Sequence, residues 1–374
     1  MSSAGHVSWF EEVGLADRPH VGGKGGSLGE LRRAGIAVPP GFVIRTAAFE
    51  RFIEALERES PVRAEVEALD CEDLDAVQRC ARALRARLEK APLPAELRDE
   101  IASAHESLRR DAGGGAAVAV RSSATTEDAA DASFAGLQDT YLWVLGAEEM
   151  LHRVRSCWAS LYSAESITYR RKHRFPESGV AMAVVIQRMV NARTAGVMFT
   201  RSPTTGDRSV VTIEGAWGLG SAVVGGEVTP DRWVVGKITG EISVREISDK
   251  AIRHVPAGME MPTRAAERHR ETSALTGDSR HGGGIETVPV PDELRRAPSL
   301  SDEEIQALRA IARNVERHYG RPQDIEWAID HGTGEILLLQ SRPETVWSVQ
   351  ESAPAARPAD NPLSHVMSIF GGRR

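Results

Sequence analysis

Cysteine is scarce in this chain of 374 residues, which holds three, at Cys71, Cys80 and Cys157. An odd number without C-x-x-C spacing suits neither a disulfide framework nor a zinc site, and it favours a reducing cytoplasm. Cys71 and Cys80 lie in or near a helical pattern, where a free cysteine usually packs as a small apolar side chain. We therefore interpret them as packing residues rather than nucleophiles.

Long apolar runs, a basic surplus and aromatic side chains are also lacking. No stretch approaches the roughly 18 apolar residues of a membrane-spanning helix, and residues 1–10 have no apolar core of signal-peptide type. Lys and Arg number 46 against 53 Asp and Glu, a formal charge of −7, and there are four Tyr and eight Phe. Neither a membrane span nor a nucleic-acid-binding module is therefore expected.

The periodicity of the apolar residues predicts an α/β (α+β) fold, and the length suggests two or three structural units. Amphipathic helices are predicted at 47–57, 72–90, 94–110 and 147–171, and buried strands at 116–120, 140–145 and 180–190. Beyond residue 190 strands predominate, and they are predicted at 196–200, 210–214, 232–235 and 241–247. The remaining features are a polar excursion (251–284), a helix (304–318) opened by a capping box at Ser301 and Glu304, a hairpin (324–340) and a tail (349–374).

A glycine cluster near the N-terminus surrounds one lysine in the segment Val21–Gly29. Glycines allow backbone amides to approach an anion closely, and Lys24 adds a positive charge among them. The spacing is not that of a Walker A loop. Phosphate binding and a flexible turn before a helix are both compatible with this segment.

A second segment, Val120–Thr140, places an arginine at the end of a buried strand and follows it with small and hydroxyl residues. Arg121 would be held rigidly there and can fork onto phosphate oxygens. The loop behind it could fold over the phosphates as a lid. A surface loop with an ion-paired arginine is the alternative.

Two further segments allow close backbone contacts with a nucleotide. The apolar strand Val185–Val190 could act as a hinge that presents backbone groups around Gln187 and Met189 to an adenine edge, although spacing alone favours a core strand leaving its sheet. After the next strand, glycines follow Glu214, which we also assign to the nucleotide. A tight connection between strands is the alternative there.

The predicted hairpin brings hard oxygen ligands together. Asp324 and Glu326 share one strand face, and Gln340 and Arg342 share one face of the partner strand. A hairpin can therefore set Glu326 beside Gln340, with Arg342 near both. A carboxylate and an amide oxygen suit Mg²⁺, whereas a solvated strand face is the alternative.

The order and spacing of these motifs, rather than any one of them, resemble a known family. The N-terminal ATP-binding domain of phosphoenolpyruvate synthase is similar to the ordered series VGGKGGSLGEL, AGIAVPPGFVI, VAVRSSATTEDAADASFAGLQDTYL, VIQRMVNARTAGVMFT, IEGAWGLG, GGEVTPDRWVV, QDIEWAID and LLLQSRPETVWS. Rifampin phosphotransferase is similarly close, and pyruvate phosphate dikinase is more distant. The resemblance covers residues 5–347.

This resemblance implies an ATP-grasp-like fold in which two subdomains clamp ATP, here 1–190 and 191–347, followed by a tail or linker at 348–374. It also implies Mg-ATP as the ligand. The residues implied for phosphate binding and catalysis are Lys24, Arg121 and Arg342. Those implied around the nucleotide are Gly136 and Thr140 in the lid and Gln187 at the adenine, and the implied Mg²⁺ ligands are Glu326 and Gln340.

Family enzymes also pass a phosphoryl group through a histidine on a swivelling domain, within a Gly-Gly…Ser/Thr-His pattern. The nearest sequence here, Leu363-Ser364-His365, has no preceding glycine run, and we interpret His365 as a tail residue. We therefore expect the phosphate-donor component of a dikinase-type phosphotransferase, with the phosphohistidine and acceptor domains in another chain, as in phenylphosphate synthase. An excised domain of a fused phosphoenolpyruvate synthase or rifampin phosphotransferase, and a non-catalytic nucleotide sensor, are the alternatives.

Overall fold

The computed structural model describes residues 5–111, 117–125, 139–258, 284–345 and 347. Its helices are α1 (Arg18–Arg33), α2 (Thr46–Glu57), α3 (Val62–Glu67), α4 (Leu74–Lys90), α5 (Ala95–Asp111), α6 (Ala147–Ser160), α7 (Ala164–Lys172), α8 (Ser221–Val224), α9 (Asp292–Arg295) and α10 (Asp302–Tyr319). Its strands are β1 (Val7–Trp9), β2 (Gly41–Ile44), β3 (Val118–Ala124), β4 (Thr140–Val144), β5 (Met182–Arg188), β6 (Ala192–Phe199), β7 (Val210–Trp217), β8 (Asp231–Gly236), β9 (Ile242–Glu246), β10 (Ile252–Pro256), β11 (Ile285–Pro289), β12 (Gln323–Asp330) and β13 (Ile336–Pro343). This mixture of helices and antiparallel sheets is an α+β fold.

The first sheet is antiparallel and has the strand order β1-β2-β5-β3-β4. Helices α2 to α7 cover one of its faces, each with its apolar stripe turned inward. Phe52 and Trp158 stack inside this core with ring centroids 5.1 Å apart. Val118 and Val120 belong to the same core, so alternation along β3 directs Arg121 to the opposite face.

The second sheet is also antiparallel, in the order β13-β12-β6-β7-β8-β9. One of its faces packs on α10 and α1, with Trp233 and Trp327 fully buried. Val43 and Val185, from the face of the first sheet that the other helices leave uncovered, belong to the same core. The two sheets are therefore joined through α1, and a subdomain boundary at residue 190 stays a prediction.

The glycine cluster lies inside helix α1. Its backbone is non-helical at Gly22, where φ is +70°. The helix approaches its neighbours at backbone distance, because a Cβ on Gly29 would lie 2.3 Å from the carbonyl oxygen of Val13. The segment is therefore buried and closely packed, and it joins two helical stretches through a kink at Gly22.

The predicted loop after β3 begins later than the sequence indicates. Arg121–Ala124 continue the strand, and all four residues are buried. Ser122 and Ser123 compensate for their burial by donating hydrogen bonds to the carbonyls of Asp139 (3.0 Å) and Val21 (2.9 Å). These hydroxyl residues, which in the sequence are typical of a loop, therefore form their hydrogen bonds from within a strand.

Two other predicted boundaries are also wrong. The helix predicted at 147–171 is two helices, because Ser163 caps α7 by accepting a hydrogen bond from the amide of Ser166 at 3.1 Å. Residues 252–256 of the predicted excursion form β10, which pairs with β11. Residues 259–283 of that excursion lie outside the described residues.

The capping box and the hairpin predicted near the C-terminus are confirmed, whereas the tail predicted at 348–374, with His365, lies outside the described residues. Ser301 Oγ accepts from the amide of Glu304 at 3.3 Å, and Glu304 Oε2 accepts from the amide of Ser301 at 2.9 Å, which is the predicted capping box. The hairpin forms from β12 and β13, antiparallel to each other.

His105 should make the stability of the chain fall in mild acid. It is buried on α5, and burial lowers its pKa from 6.5. Below pH 6.5 the unfolded chain takes up a proton that the folded chain refuses, so the free energy of unfolding decreases as the pH falls. Urea unfolding between pH 7 and 5.5 should show a smaller loss for His105→Leu than for the wild type. The same change at the exposed His331 should leave the wild-type slope unaltered, and equal slopes in all three proteins would contradict the assignment.

Candidate functional site

A cavity of about 1350 Å³ lies between the two sheets. Its lining includes residues of β3, β4 and β5 from the first sheet, of β6, β12 and β13 from the second, and of α6, α8 and the β10–β11 pair. The volume exceeds the roughly 300–1,000 Å³ of typical small-molecule sites, so an extended ligand can be accommodated. Five of the residues that the sequence predicts as functional line it: Arg121, Thr140, Gln187, Met189 and Glu326.

Arg121 is the centre of the polar contacts at this cavity, and its side chain is 9% exposed. Nη1 donates to Gln187 Oε1 at 3.3 Å and to the carbonyl of Leu339 at 2.9 Å. Nη2 donates to Glu326 Oε2 at 3.2 Å and to Gln340 Oε1 at 2.5 Å. One guanidinium group thus joins the first sheet to both strands of the terminal hairpin.

The hairpin creates this cluster through an irregularity in its register. Glu326 lies opposite Gln340, whereas the next residue, Trp327, lies opposite Leu338. Leu339 is therefore the extra residue of a β-bulge, and its carbonyl is the one that accepts from Arg121. The bulge lets Trp327 and Leu338 both lie in the core, while the side chains of Glu326 and Gln340 both reach Arg121.

Gln187 has an orientation fixed by Arg121. Its oxygen accepts from the guanidinium, while Nε2 is buried and has no hydrogen-bond partner within the described residues. The amides of Arg188 and Met189 donate to the carbonyls of Pro40 and Ala117, both at 2.9 Å. Both amides are thus hydrogen-bonded inside the protein. The groups left for the predicted contact with an adenine edge are backbone carbonyls and the Gln187 side chain.

Lys24 lies on α1 and is buried, but it does not line the cavity. Burial raises the pKa of the Cys157 thiol far above its usual range, the Asp139 charge adds to the rise, and the Lys24 charge opposes it. The turn of α1 that carries Lys24 contacts β3, because the amide of Gly25 donates to Ser123 Oγ at 3.2 Å.

Gly22 determines how closely α1 approaches β3. A Cβ there would lie 2.1 Å from the carbonyl oxygen of Ser123, and its φ is +70°. Gly22→Ala should lower the free energy of unfolding by about 2 kcal/mol or more, measured by urea unfolding. Gly35→Ala is the matched control, because Gly35 has φ +71° and nothing within 4 Å of the added Cβ. Equal losses for the two variants would show that the contact with Ser123 is unimportant.

Arg342 lies at the rim of this site and its side chain is 61% exposed. It lies opposite Asp324 in the hairpin, with 3.5 Å between Arg342 Nε and Asp324 Oδ2. Burial raises the pKa of Asp324 to about 6, Arg342 opposes the rise, and Glu344 adds to it. Asp324 Oδ1 is buried without a hydrogen-bond partner in the part of the chain that the structure describes. No role is predicted for Asp324 from the sequence, although its position two residues before Glu326 places both side chains on the same strand face.

The other predicted residues lie around the cluster. Thr140 lies opposite Arg121 in the β3–β4 ladder. Glu214 lies in one row with Glu326, two strands away across β6, or about 10 Å. Burial raises the pKa of Glu214, and Arg232 opposes the rise, but Glu214 does not line the cavity. Gly136 lies outside the described residues.

Sequence reasoning missed a second polar group in the cavity wall, formed by Ser221, Glu227 and His254. His254 Nδ1 is 2.8 Å from Ser221 Oγ, and Nε2 is 3.3 Å from Glu227 Oε2. The amide of Leu219 donates to the carbonyl of His254 at 2.9 Å. These contacts hold the β10–β11 pair on the turn after β7. The available signals were the segment GGEVTPDRWVV, which contains Glu227, and the strand alternation of residues 252–256, within the stretch interpreted as an excursion.

No three His, Cys, Asp or Glu side chains of the described ranges gather as a metal-binding group. No helix there is both long and apolar enough to cross a membrane.

Residues 18–361 match the family model for the pyruvate phosphate dikinase AMP/ATP-binding domain. The chain belongs to this family. The matched range contains the whole Arg121 cluster and the described lining of the cavity. The resemblance indicated by the ordered motifs is therefore confirmed, and the chain is a dikinase-type AMP/ATP-binding domain.

Curated relatives of this AMP/ATP-binding domain are phosphoenolpyruvate synthases. It is 38% identical to a probable phosphoenolpyruvate synthase of Staphylothermus marinus over 94% of this chain and 42% of the relative. It is 41% identical to one of Methanothermobacter thermautotrophicus over 91% of this chain and 46% of the relative, and 40% identical to the phosphoenolpyruvate synthase of Aeropyrum pernix over 95% and 44%. The chain spans less than half the length of these relatives.

Proposed function

We propose that this domain binds Mg-ATP in the cavity between its sheets and presents the phosphates to a histidine on another domain or chain. The observation that carries the proposal is the buried guanidinium of Arg121 at the cavity wall, held by side chains from both sheets. A rigid, planar cation of this kind recognises phosphate oxygens in pairs. In this role Arg121 orients the phosphates, and Lys24 and Arg342 add positive charge from α1 and from the rim.

The chemistry of Glu326 and Gln340 fits Mg²⁺. Their side-chain oxygens converge on the same nitrogen of Arg121, so they lie close enough together to serve one cation. A carboxylate and an amide oxygen are hard ligands, and Mg²⁺ usually takes only one or two carboxylates and fills its octahedron with water and phosphate oxygens. Bound Mg²⁺ would neutralise charge on the transferring phosphates.

The adenine base of ATP would lie against the end of the cavity that β5 lines. The buried Nε2 of Gln187 is a donor without an acceptor in the described residues, which suits a hydrogen bond to a nucleotide. We assign the carbonyl side of Met189 to the adenine edge, Glu214 to the nucleotide, and Thr140 with Gly136 to a lid over the phosphates. In this proposal residues 1–190 and 191–347 are the two halves of an ATP-grasp-like clamp.

The proposed reaction is dikinase-type phosphoryl transfer. The partner histidine attacks the β-phosphorus of ATP, AMP leaves, and water then releases the γ-phosphate as inorganic phosphate to leave a phosphohistidine. Such transfer depends on positioning and charge neutralisation rather than on covalent chemistry by the donor domain. The final phosphate acceptor would be bound by another domain or chain. We propose that the protein acts in the cytoplasm.

Labelled ATP tests this proposal. The chain is incubated with Mg²⁺, ATP labelled at the β-phosphate and the histidine-bearing domain of a phosphoenolpyruvate synthase. We expect AMP release and an acid-labile label on the histidine, and neither product when the chain is omitted. Binding of ATP without AMP release, with several such histidine domains, would favour the second candidate, a non-catalytic nucleotide sensor, and would overturn the transfer proposal.

A further inference from the structure

Helix α1 is fastened to β3 by a buried serine. The amide of Gly25 donates to Ser123 Oγ at 3.2 Å, and that hydroxyl donates to the carbonyl of Val21 at 2.9 Å. Ser123 follows Arg121 by two residues on the same strand. The turn of α1 that carries Lys24 is thus bonded directly to the strand that carries Arg121.

The same helix is fastened to β13 by a second buried serine. Ser27 Oγ donates to the carbonyl of Ser341 at 2.5 Å, and both serines are 3% exposed. Ser341 lies between Gln340 and Arg342, and its own hydroxyl donates to Gln323 Oε1 at 3.0 Å. This bond therefore holds the stretch of β13 that carries two of the proposed ligand residues.

Tyr319 supports this second attachment from α10. Its hydroxyl donates to the carbonyl of Ser27 at 3.3 Å and lies 3.4 Å from Ser27 Oγ. Ser27 is therefore bonded through its side chain to β13 and through its backbone to α10. Neither Ser27 nor Tyr319 lines the cavity.

We propose that Ser27 is a positioning residue that holds Lys24 and the Gln340–Arg342 stretch in register around the ATP phosphates. The inference rests on the proposed function. Ser27 follows Lys24 by three residues, one helical turn, so a shift of α1 against β13 moves the lysine by a similar amount. Because α1 is also bonded to β3, the helix acts as a spacer of fixed length between the two strands that contribute ligands.

This role differs measurably from simple stabilisation. Lys24 and Arg342 would act on the β- and γ-phosphates, which AMP lacks. Loss of register should therefore weaken ATP binding and leave AMP binding unchanged. A hydroxyl that only stabilises the fold would change the two affinities together or change neither.

The test compares dissociation constants for ATP and for AMP, each with Mg²⁺, by isothermal titration of the whole chain. For Ser27→Ala we expect about a tenfold weaker ATP affinity, which is the size of one buried hydrogen bond, and an AMP affinity within about twofold of the wild type. Ser27→Thr keeps the hydroxyl and should restore the wild-type ratio. Ser107→Ala is the matched control, because Ser107 is a partly buried serine whose hydroxyl bonds only within its own helix, donating to Ser103 and accepting from Arg110.

An unchanged ratio of ATP to AMP affinity in Ser27→Ala would overturn the inference. Tyr319→Phe provides a second variant should Ser27→Ala fail to fold, and its ratio should shift in the same direction by about threefold. A wild-type chain that binds neither nucleotide would instead refute the proposed function.

Discussion

Arg121→Ala should reduce AMP release with a histidine partner by about three orders of magnitude. Among the described residues, the guanidinium of Arg121 is the group that contacts Gln187, Glu326 and Gln340 together, and it is the proposed phosphate clamp. Cations that neutralise the transferring phosphoryl group contribute on the order of 10³-fold or more in related chemistry. The measurement is the rate of AMP formation from labelled ATP with the variant and with the wild type.

The fold should survive this substitution. Glu326 is 31% exposed, so water can solvate its carboxylate when the arginine is removed. Arg208→Ala, at an exposed position in the turn before β7, is the matched control and should keep wild-type rates. Arg121→Lys keeps the positive charge but loses the planar pair of N–H donors, and we expect it to recover only part of the rate of AMP release. A folded Arg121→Ala variant with the wild-type rate would refute the role given to this residue.

Glu326→Gln should lower AMP release by about 100-fold or more at fixed Mg²⁺, because it removes the one carboxylate of the proposed metal pair. The amide can still accept the hydrogen bond that Arg121 Nη2 donates to Glu326, so the surrounding geometry should persist. The Mg²⁺ concentration that gives half of the maximal rate should rise in the variant. Both quantities come from Mg²⁺ titrations of the labelled-ATP assay.

Glu335→Gln provides the matched control for this second prediction. Glu335 is an exposed carboxylate in the same hairpin, next to the turn and outside the cavity lining. Its substitution should leave both the rate and the Mg²⁺ dependence unchanged. A Glu326→Gln variant with an unaltered Mg²⁺ dependence would show that the metal is held elsewhere.

Much of the fold could be predicted from the sequence wherever local signals were strong. The capping box at Ser301 and Glu304 and the turn residues of the hairpin specify α10, β12 and β13 through interactions within a few residues. The alternation of Glu326 and Gln340 with apolar neighbours likewise indicated that the two side chains would meet. These features depend on short-range geometry, which a single sequence contains.

The features that could not be predicted depend on contacts between distant segments. Ser122 and Ser123 read as loop residues because their partners, Asp139 and Val21, are far along the chain. The glycines of α1 left phosphate binding and a flexible turn both open, because the need for a glycine at Gly29 comes from the backbone of another segment, at Val13. Tertiary packing therefore overrode local propensity at both places.

The β-bulge at Leu339 could not be predicted from the sequence either. It changes the register by one residue, which lets a core pair and a pair that contacts Arg121 follow each other on the same strands. Its carbonyl bond to Arg121 then ties the hairpin to the first sheet. The candidate residues could be named from the sequence, but the way in which Arg121 joins them could not.

A crystal structure of the chain with Mg²⁺ and a non-hydrolysable ATP analogue tests the central claim most directly. We predict the analogue in the cavity between the sheets, with phosphate oxygens within hydrogen-bond distance of Arg121 and a metal ion held by Glu326 and Gln340. A nucleotide bound outside this cavity, or one in it whose phosphates lie away from Arg121, would contradict the account.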